Sequence, residues 1–255
     1  MNLRCGDCAT ILQEVDSDSV DLTVTSPPYD NLRTYHGYSF DFPRIAAELY
    51  RVTKPGGVVV WVVGDQTTNG SESGTSFRQA LHLKDIGFKL YDTMIFAKLN
   101  PVPRNHRRYQ DSFEFMFVLS KGMPKTFNAL LDASYTKKTR NKGMYSRDGQ
   151  IRPGWNSSGR STKTRSNIWS YGLGLERTGH PAVFPLALAE DHIRSWTNPG
   201  DMVLDPFMGS GTTGVAARRW GRRFLGIEIS PEFFSMASDR LTSQPVSVFY
   251  RELNV

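Results

Sequence analysis

The segment from residue 202 to 229 constrains the fold most, because it predicts two parallel strands joined by one helix. Met202–Asp205 is predicted as a short strand, Thr212–Trp220 as a helix that ends at Gly221, and Phe224–Ile229 as a second strand. Strands that are connected through a helix run parallel, and parallel sheets bury both faces under helices. A chain with this unit is expected to form a doubly wound α/β sheet.

Strands and helices alternate along most of the remaining chain and support the same fold class. The further predicted strands are 20–25, 58–63, 89–97 and 113–119, and the further predicted helices are 42–52, 76–86, 184–196 and one that starts at Ser230. Residues 133–170 lose the apolar periodicity and are rich in Gly, Ser, Thr, Asn, Lys and Arg. The sequence therefore predicts a mostly parallel sheet with one irregular insertion.

Composition is that of an ordinary globular protein of one α/β domain with an inserted module. The chain has 255 residues, of which 39% are hydrophobic and 22% charged. No stretch approaches the roughly 20 apolar residues that span a bilayer, and the N-terminus lacks a signal pattern. Its two cysteines, Cys5 and Cys8, cannot build a disulfide framework. These features predict a cytoplasmic protein in a reducing compartment.

Positive charge is concentrated in the middle of the chain. The net charge is +6, but residues 99–178 contain 15 Lys and Arg against 5 acidic residues, so that this segment carries +10. Basic charge that is gathered in one region favours a polyanionic partner. A solvated basic loop is the alternative interpretation.

Residues 205–213, with the sequence Asp-Pro-Phe-Met-Gly-Ser-Gly-Thr-Thr, connect the strand to the helix of the first unit. Gly209 and Gly211 allow a ligand to approach the backbone closely, and the helix N-terminus offers N–H groups to an anion. Glu228 ends the next strand, where an acid binds ribose hydroxyls in nucleotide-type units. The residues predicted to bind a cofactor here are Asp205, Phe207, Gly209, Ser210, Gly211, Thr212 and Glu228.

Two other interpretations of this turn stay open. It could be a structural turn beside an exposed acid. It could also belong to a dinucleotide-binding fold, although the Asp205-Pro206 pair before the turn is unusual for that fingerprint.

Residues 25–29, with the sequence Thr-Ser-Pro-Pro-Tyr, are the most specific motif. Two prolines exclude a helix or a paired strand, so they predict a rigid turn at a strand end. A base that is flipped out of a duplex needs a flat stacking face and acceptors for its exocyclic amine. Tyr29 supplies the face, and the Ser26 hydroxyl and Pro27 carbonyl supply the acceptors. The amine lone pair can then attack a sulfonium methyl group in line, whereas the alternative is a plain proline-rich loop.

The two motifs together resemble those of the DNA amino-methyltransferases, which methylate N4 of cytosine or N6 of adenine. That family carries an (Asp/Asn/Ser)-Pro-Pro-(Tyr/Phe) tetrad and a Phe-x-Gly-x-Gly loop, here Ser26–Tyr29 and Phe207–Gly211. The resemblance covers nearly the whole chain, and the motif order looks like the family's β arrangement. It implies a Rossmann-like fold that uses S-adenosyl-L-methionine, and a catalytic role for Ser26, Pro27, Pro28 and Tyr29.

The resemblance also assigns regions and further cofactor contacts. Residues 1–98 and 179–255 would form the catalytic and cofactor-binding domain, and residues 99–178 the target-recognition region. Asp7 would contact the cofactor adenine, and Phe184 in the element 180–185 would line the methionine side of the pocket. A metal or redox role for Cys5-Gly6-Asp7-Cys8 is the alternative there, but no second cysteine pair supports it. No metal is therefore expected.

Double-stranded DNA is the partner that the resemblance implies, with phosphates neutralised and base edges read by the basic region. The residues predicted to contact DNA are Arg104, Arg107, Arg108, Lys137, Lys138, Arg140, Lys142 and Arg147. A homodimer and a cognate restriction endonuclease are further partners that such an enzyme suggests.

The favoured product is N4-methylcytosine, with N6-methyladenine as the alternative. A tetrad that begins with Ser26 is commoner among the cytosine-N4 enzymes of the family, and residues 180–185, His-Pro-Ala-Val-Phe-Pro, look more like that group. The other hypotheses are an RNA or protein methyltransferase, a nicotinamide dehydrogenase, and a non-catalytic DNA-binding protein. The basic insertion, the motif order and the two intact motifs favour the DNA enzyme over all three.

Overall fold

The computed structural model describes residues 1–28, 40–101, 103, 107–134, 144–145, 149–152, 161–174 and 185–243. The chain divides into two compact units, one formed by residues 1–128 with 167–255 and the other by residues 129–166. In the smaller unit, residues 131–133 pair antiparallel with 162–164, and residues 144–145 with 151–152.

An eight-stranded sheet organises the larger unit. Its strands in chain order are β1 (Asn2–Cys5), β2 (Val20–Thr25), β3 (Thr53–Val63), β4 (Lys89–Lys98), β5 (Phe113–Ser120), β6 (Ile168–Tyr171), β7 (Met202–Asp205) and β8 (Arg223–Glu228). Their order across the sheet is β1-β8-β7-β2-β3-β5-β4-β6, and β5 is the strand that runs antiparallel to both neighbours. A two-stranded ribbon of residues 67–68 and 71–72 follows β3.

Six α-helices accompany the sheet in the described part of the chain. They are α1 (Cys8–Ile11), α2 (Phe42–Val52), α3 (Thr75–Asp85), α4 (Leu186–Trp196), α5 (Thr212–Arg219) and α6 (Pro231–Ser243). In α2, the buried residues Ile45, Leu49 and Val52 lie at helical spacing, and Asp41 caps the helix by accepting a hydrogen bond from the Arg44 N–H at 3.3 Å. The predicted fold class is confirmed, since the sheet is mostly parallel and strands alternate with helices.

The differences from the predicted elements are concentrated at the two edges of the sheet. Neither β1 nor β6 was predicted, and β6 begins at the end of the segment 133–170 that lost its periodicity. Both strands are four residues long and partly exposed. A short edge strand carries too few alternating positions to produce a sequence signal. The strand predicted at 58–63 begins earlier, at Thr53, which pairs with Val20 of β2 ahead of a register shift.

The smaller unit falls inside the predicted target-recognition region, residues 99–178. β5 and β6, which that region also includes, are strands of the main sheet. The predicted boundaries of the region stay a prediction. None of the helices in the described residues combines the length and the apolar character that crossing a membrane requires.

The parallel strands bring several strand ends to one edge of the sheet. β1, β8, β7, β2 and β3 share one direction, so that the residues after each of them emerge side by side. In open α/β sheets, ligands bind in the crevice outside these carboxyl ends. The predicted cofactor loop, residues 205–211 between β7 and α5, and the tetrad after β2 therefore emerge next to each other. We call residues 205–211 the cofactor loop.

A histidine is buried in the packing between α4 and the far half of the sheet. The His192 ring lies 4.6 Å from the Trp169 ring, and its Nε2 lies 3.3 Å from the Met116 sulfur. Its Nδ1 has no hydrogen-bond partner within the described residues. Burial without a counter-charge lowers the pKa of His192 to about 3.

We predict that His192 makes the fold less stable in mild acid. The pKa of His192 in the folded protein lies below its unfolded value of 6.5. Between these two pKa values, the unfolded chain binds a proton at His192 and the folded chain does not. The stabilisation is complete above pH 6.5 and is lost progressively toward pH 3. Between pH 7 and pH 5 this residue should lower the free energy of unfolding by about 2 kcal/mol.

The measurement is urea unfolding at both pH values for wild type and His192→Leu. The difference between the two proteins should change with pH by that amount. Leu188→Ala is the control, because it opens a cavity in the same helix without removing a titratable group. An identical pH dependence in wild type and His192→Leu would contradict the prediction.

Candidate cofactor and catalytic site

The loop between β7 and α5 has a backbone that glycine makes possible. Gly209 and Gly211 have φ values of 51° and 81°, in the left-handed region that favours glycine. The loop closes on itself through a hydrogen bond from the Gly211 N–H to the Met208 carbonyl at 2.9 Å, and the Met208 N–H bonds the Ile227 carbonyl at 2.9 Å. A Cβ on Gly211 would lie 3.3 Å from the Ala237 Cβ, a tight contact that adds to the conformational preference for glycine.

Asp205 is a buried carboxylate at the start of this loop, with 1% of its surface exposed. Its Oδ1 accepts hydrogen bonds from the Thr25 hydroxyl at 2.7 Å and from the Phe207 N–H at 3.1 Å. Burial raises the pKa of Asp205 to about 6, and the hydrogen bonds from Thr25, Thr213 and Phe207 oppose that rise. Asp205 therefore shapes the loop from inside the protein.

Glu228 holds the other side of the loop from the end of β8. Its Oε2 accepts from the Gly209 N–H at 2.8 Å, and its Oε1 accepts from the Ser230 N–H at 2.9 Å. Burial raises the pKa of Glu228. The Ile229 N–H is a third backbone donor to this carboxylate. A carboxylate has about four lone-pair sites, so one is left for a further donor. This arrangement fits a ribose hydroxyl, the group that the sequence assigned to Glu228.

Arg240 of α6 contacts the same loop, and the sequence did not mark it. Its Nη1 lies within hydrogen-bond distance of the Ser210 carbonyl (3.1 Å), the Ser210 hydroxyl (3.3 Å) and the Thr212 hydroxyl (3.2 Å). An Arg in the last turn of a helix is an ordinary feature, so no local signal identifies this contact. Ser210 and Thr212, which were predicted to bind the cofactor, are both buried.

Phe207 packs the loop against the neighbouring half of the sheet. Its ring centroid lies 5.5 Å from that of Phe40 and 6.2 Å from that of Trp61, both edge to face. Trp61 is fully buried and donates from its Nε1 to the Gln79 Oε1 at 2.9 Å. The loop is therefore anchored on an aromatic cluster as well as on carboxylates.

The tetrad leaves the sheet directly after β2. Thr25 pairs in register with Trp61 of β3, and after it Pro27 is buried while Ser26 and Pro28 are partly exposed. Tyr29 lies outside the described residues, and so does Phe184. Ser26 and Pro27 thus directly follow Thr25, whose hydroxyl bonds Asp205, and their catalytic role stays a prediction.

Asp7 lies next to Glu228 in the sheet order, where the sequence predicted an acid for the cofactor adenine. Gly6 donates from its N–H to the Glu228 carbonyl at 2.9 Å. The Asp7 carboxylate is exposed and caps α1, accepting from the Ala9 N–H at 3.0 Å and the Thr10 hydroxyl at 3.1 Å. Its contact with an adenine stays a prediction.

The basic residues predicted to contact DNA are described in part. Arg107 and Arg108 are exposed, and Arg108 Nη1 lies 3.6 Å from the Glu72 carboxylate. The others lie outside the described residues, namely Arg104, Lys137, Lys138, Arg140, Lys142 and Arg147. Their roles stay predictions.

The two cysteines differ in exposure. Cys5 is exposed and Cys8 is buried, and burial raises the pKa of the Cys8 thiol to about 12. The described residues contain no group of His, Cys, Asp and Glu that could hold a metal ion. Cys5 is the last residue of β1, and β1 is separated from β2, the strand that precedes the tetrad, by three strand spacings, which is about 14 Å.

A mostly parallel sheet, a glycine loop held by two buried carboxylates, and a Ser-Pro-Pro-Tyr tetrad on the adjacent strand define an S-adenosylmethionine-dependent methyltransferase of the amino class. The N6/N4 methyltransferase family profile, described as DNA methylase, matches residues 20–239. The chain therefore belongs to the N6/N4 DNA methylase family, which confirms the resemblance seen in the sequence.

Known proteins agree with this membership. The orphan methyltransferase M.BamHII of Bacillus amyloliquefaciens is 49% identical over 253 residues, covering 94% of this chain and 92% of the relative. The M1.HpyAVI–SAM complex is 29% identical with a TM-score of 0.62, covering 94% of this chain and 99% of the other. The cytosine-N4-specific PvuII DNA methyltransferase is 22% identical with a TM-score of 0.69, covering 93% and 85%, and shows the shared fold. The predicted cofactor is confirmed as that of the family.

We predict that Glu228→Gln weakens cofactor binding. The variant replaces one acceptor oxygen by an NH2 group, so that either the Gly209 or the Ser230 N–H faces another donor. A ribose hydroxyl bound to this carboxylate would also lose its charged acceptor, and a hydrogen bond to a charged group contributes about 1.5–3 kcal/mol, which corresponds to a roughly 10- to 150-fold loss of affinity. Calorimetric titration with S-adenosyl-L-homocysteine measures it.

Glu232→Gln is the matched control, because Glu232 is exposed in the first turn of α6. It should keep wild-type affinity for the same compound. DNA affinity should stay unchanged in both variants. Wild-type cofactor affinity in Glu228→Gln would show that the carboxylate is not part of the pocket.

Proposed function

We propose that this protein is a site-specific DNA methyltransferase that transfers a methyl group from S-adenosyl-L-methionine to N4 of cytosine in double-stranded DNA. The target base is flipped out of the duplex and the transfer is direct and in line. Adenine N6 is the alternative acceptor. Membership in the N6/N4 DNA methylase family supports the reaction type, and the Ser26-led tetrad supports the choice of cytosine.

The observation that carries the proposal is the hydrogen bond between Thr25 and Asp205, 2.7 Å long and buried. It joins the residue just before the tetrad to the residue that begins the cofactor loop. A methyl donor bound at the loop and an amine held at the tetrad would therefore be neighbours at the same edge of the sheet. In-line transfer requires that proximity.

The residues of the chain supply binding and orientation in this reaction. S-adenosyl-L-methionine supplies an electrophilic methyl group on a sulfonium centre. The loop N–H groups and Glu228 would hold the donor. The Ser26 hydroxyl and the Pro27 carbonyl would accept hydrogen bonds from the amine and aim its lone pair, while Tyr29 would stack on the base. None of these steps requires a covalent bond between protein and base.

Methylation of carbon 5 of cytosine is not supported, because it requires a cysteine nucleophile at the flipped base. Cys8 is buried with a pKa raised to about 12, so that it is held as the unreactive thiol. Cys5 is on β1, three strand spacings from the tetrad strand, or about 14 Å. Both cysteines are thus outside reach of a base held at Ser26.

We propose that residues 99–178 recognise the DNA target. The compact unit 129–166 contains nine Lys and Arg and two Asp. The rest of the chain is then close to neutral, since the total net charge is +6. Phosphate contacts from this unit would supply affinity, and neighbouring polar side chains would read base edges.

The setting of the proposed enzyme is a bacterial cytoplasm in the context of restriction and modification. M.BamHII, the relative at 49% identity, is named an orphan methyltransferase. A homodimer is a further partner that we propose for this chain. A cognate restriction endonuclease is the other partner that the sequence suggested, and the word orphan in the name of M.BamHII does not support it.

We predict that DNA methylated by this protein contains N4-methyldeoxycytidine. Unmethylated plasmid DNA is incubated with enzyme and S-adenosyl-L-methionine, digested to nucleosides and analysed by mass spectrometry. Ser26→Ala should lower the amount of product, because one acceptor for the amine is lost. Methyl groups on deoxyadenosine would show that the target base is adenine and not cytosine. Methyl groups on carbon 5 of cytosine would overturn the mechanism.

We also predict that DNA affinity depends strongly on salt through the basic region. Log affinity should fall with log salt by roughly 0.9 for each phosphate that is neutralised. Replacing Lys137, Lys138, Arg140 and Lys142 together by Gln should reduce that slope. The control is Lys84→Gln with Lys89→Gln, which changes exposed lysines at the end of α3 and the start of β4. Equal slopes in both variants would argue against the assignment.

A further inference from the structure

Two hydroxyl groups connect the strand of the tetrad to the cofactor segment. Thr25, fully buried at the end of β2, donates to Asp205 at 2.7 Å. Thr213, fully buried in the first turn of α5, donates its hydroxyl hydrogen to the Val24 carbonyl at 3.2 Å. The two contacts involve the residue that begins the cofactor loop and the helix that follows it.

These side-chain contacts begin where the backbone pairing ends. β2 and β7 pair in register at Leu22 with Val203 and at Thr23 with Leu204. Beyond Thr23 and Leu204, toward the carboxyl ends of the strands, β2 and β7 are joined by the hydrogen bond between the Thr25 and Asp205 side chains. A displacement of the cofactor loop would therefore pass to the tetrad strand through this hydrogen bond.

We propose that Thr25 is a positioning residue that couples cofactor binding to target-base binding through its hydrogen bond with Asp205. This inference rests on the proposed function and assigns a task to a residue outside the tetrad. A cofactor that contacts the loop would brace Asp205, and through the Thr25 hydrogen bond also the end of β2 that precedes Ser26 and Pro27. Coupling between two sites is reciprocal, so DNA must strengthen cofactor binding by the same factor.

The protonation of Asp205 provides a second signature of this contact. Burial and the charge of Glu228 raise the pKa of Asp205 to about 6, while the Thr25 hydroxyl opposes the rise. Loss of that hydroxyl moves the pKa further up, toward neutral pH. A protonated Asp205 has one oxygen that donates instead of accepting, so the loop loses an acceptor for its own N–H and hydroxyl groups.

The test compares Thr25→Val with two matched variants. Valine keeps the shape of threonine and removes the donor, whereas Thr25→Ser keeps the donor. Thr23→Val is the control for a change from hydroxyl to methyl in the same strand, because Thr23 is fully buried and its hydroxyl has no hydrogen-bond partner within the described residues. Thermal unfolding of all variants checks that each one is folded.

Binding of S-adenosyl-L-homocysteine is titrated with and without saturating unmethylated plasmid fragments, from pH 5.5 to pH 8. Wild type, Thr25→Ser and Thr23→Val should bind more tightly when DNA is present. Thr25→Val should lose most of that enhancement, bind roughly 10- to 100-fold more weakly, and show the acid loss of affinity at higher pH. Asp205→Asn still accepts a hydrogen bond from Thr25 but does not titrate. Its cofactor affinity should therefore not fall as the pH is lowered.

The outcomes separate the inference from the function on which it rests. If wild type transfers no methyl group to plasmid DNA, the proposed function fails. If wild type is active and Thr25→Val keeps the full enhancement and the wild-type pH profile, the coupling role is wrong. If Thr25→Val does not fold, Thr25→Ala is tested for the same loss of the DNA enhancement. The pH dependence of cofactor affinity in Asp205→Asn then checks that Asp205 is the group that titrates.

Discussion

The site of this protein depends on a carboxylate that is taken out of water and surrounded by hydrogen-bond donors. Asp205 receives the Thr25 hydroxyl and the Phe207 N–H on one oxygen and is 1% exposed. Removing a carboxylate from water without partners is very unfavourable, so the donors must stay in place for the ion to stay buried. The cost of burial, visible in the raised pKa of Asp205, is what forces the loop and the neighbouring strand into one arrangement.

Glu228 repeats the same principle on the other side of the loop, with the Gly209 and Ser230 N–H groups as donors. The two carboxylates are on adjacent parallel strands, and each one stabilises backbone that would otherwise have unpaired N–H groups. Glycine at 209 and 211 is the conformational condition for this geometry. Rigid preorganisation of this kind is what a transfer reaction without a covalent intermediate demands, since orientation is most of what the protein can contribute.

Charge is divided between the two units in a way that suits a DNA enzyme. The unit 129–166 carries an excess of seven positive charges, while the sheet-bearing remainder is close to neutral. Electrostatic attraction to phosphates is long-ranged and independent of sequence, whereas the chemistry needs short-range, directional contacts. With the proposed division of tasks, the recognition region would be able to vary without disturbing the buried carboxylates.

The sequence by itself determined the fold class, the bounds of most central elements and the residues of both motifs, because buried strands, amphipathic helices and glycine turns leave local patterns. Helix α2 and strand β2 lie within their predicted limits. The tertiary structure decided the rest. The short edge strands β1 and β6 depend on pairing with distant neighbours, and Thr25, Thr213 and Arg240 meet the cofactor loop only after the chain has folded. A hydrogen bond between residues 25 and 205 leaves no local pattern, since its two partners are 180 residues apart.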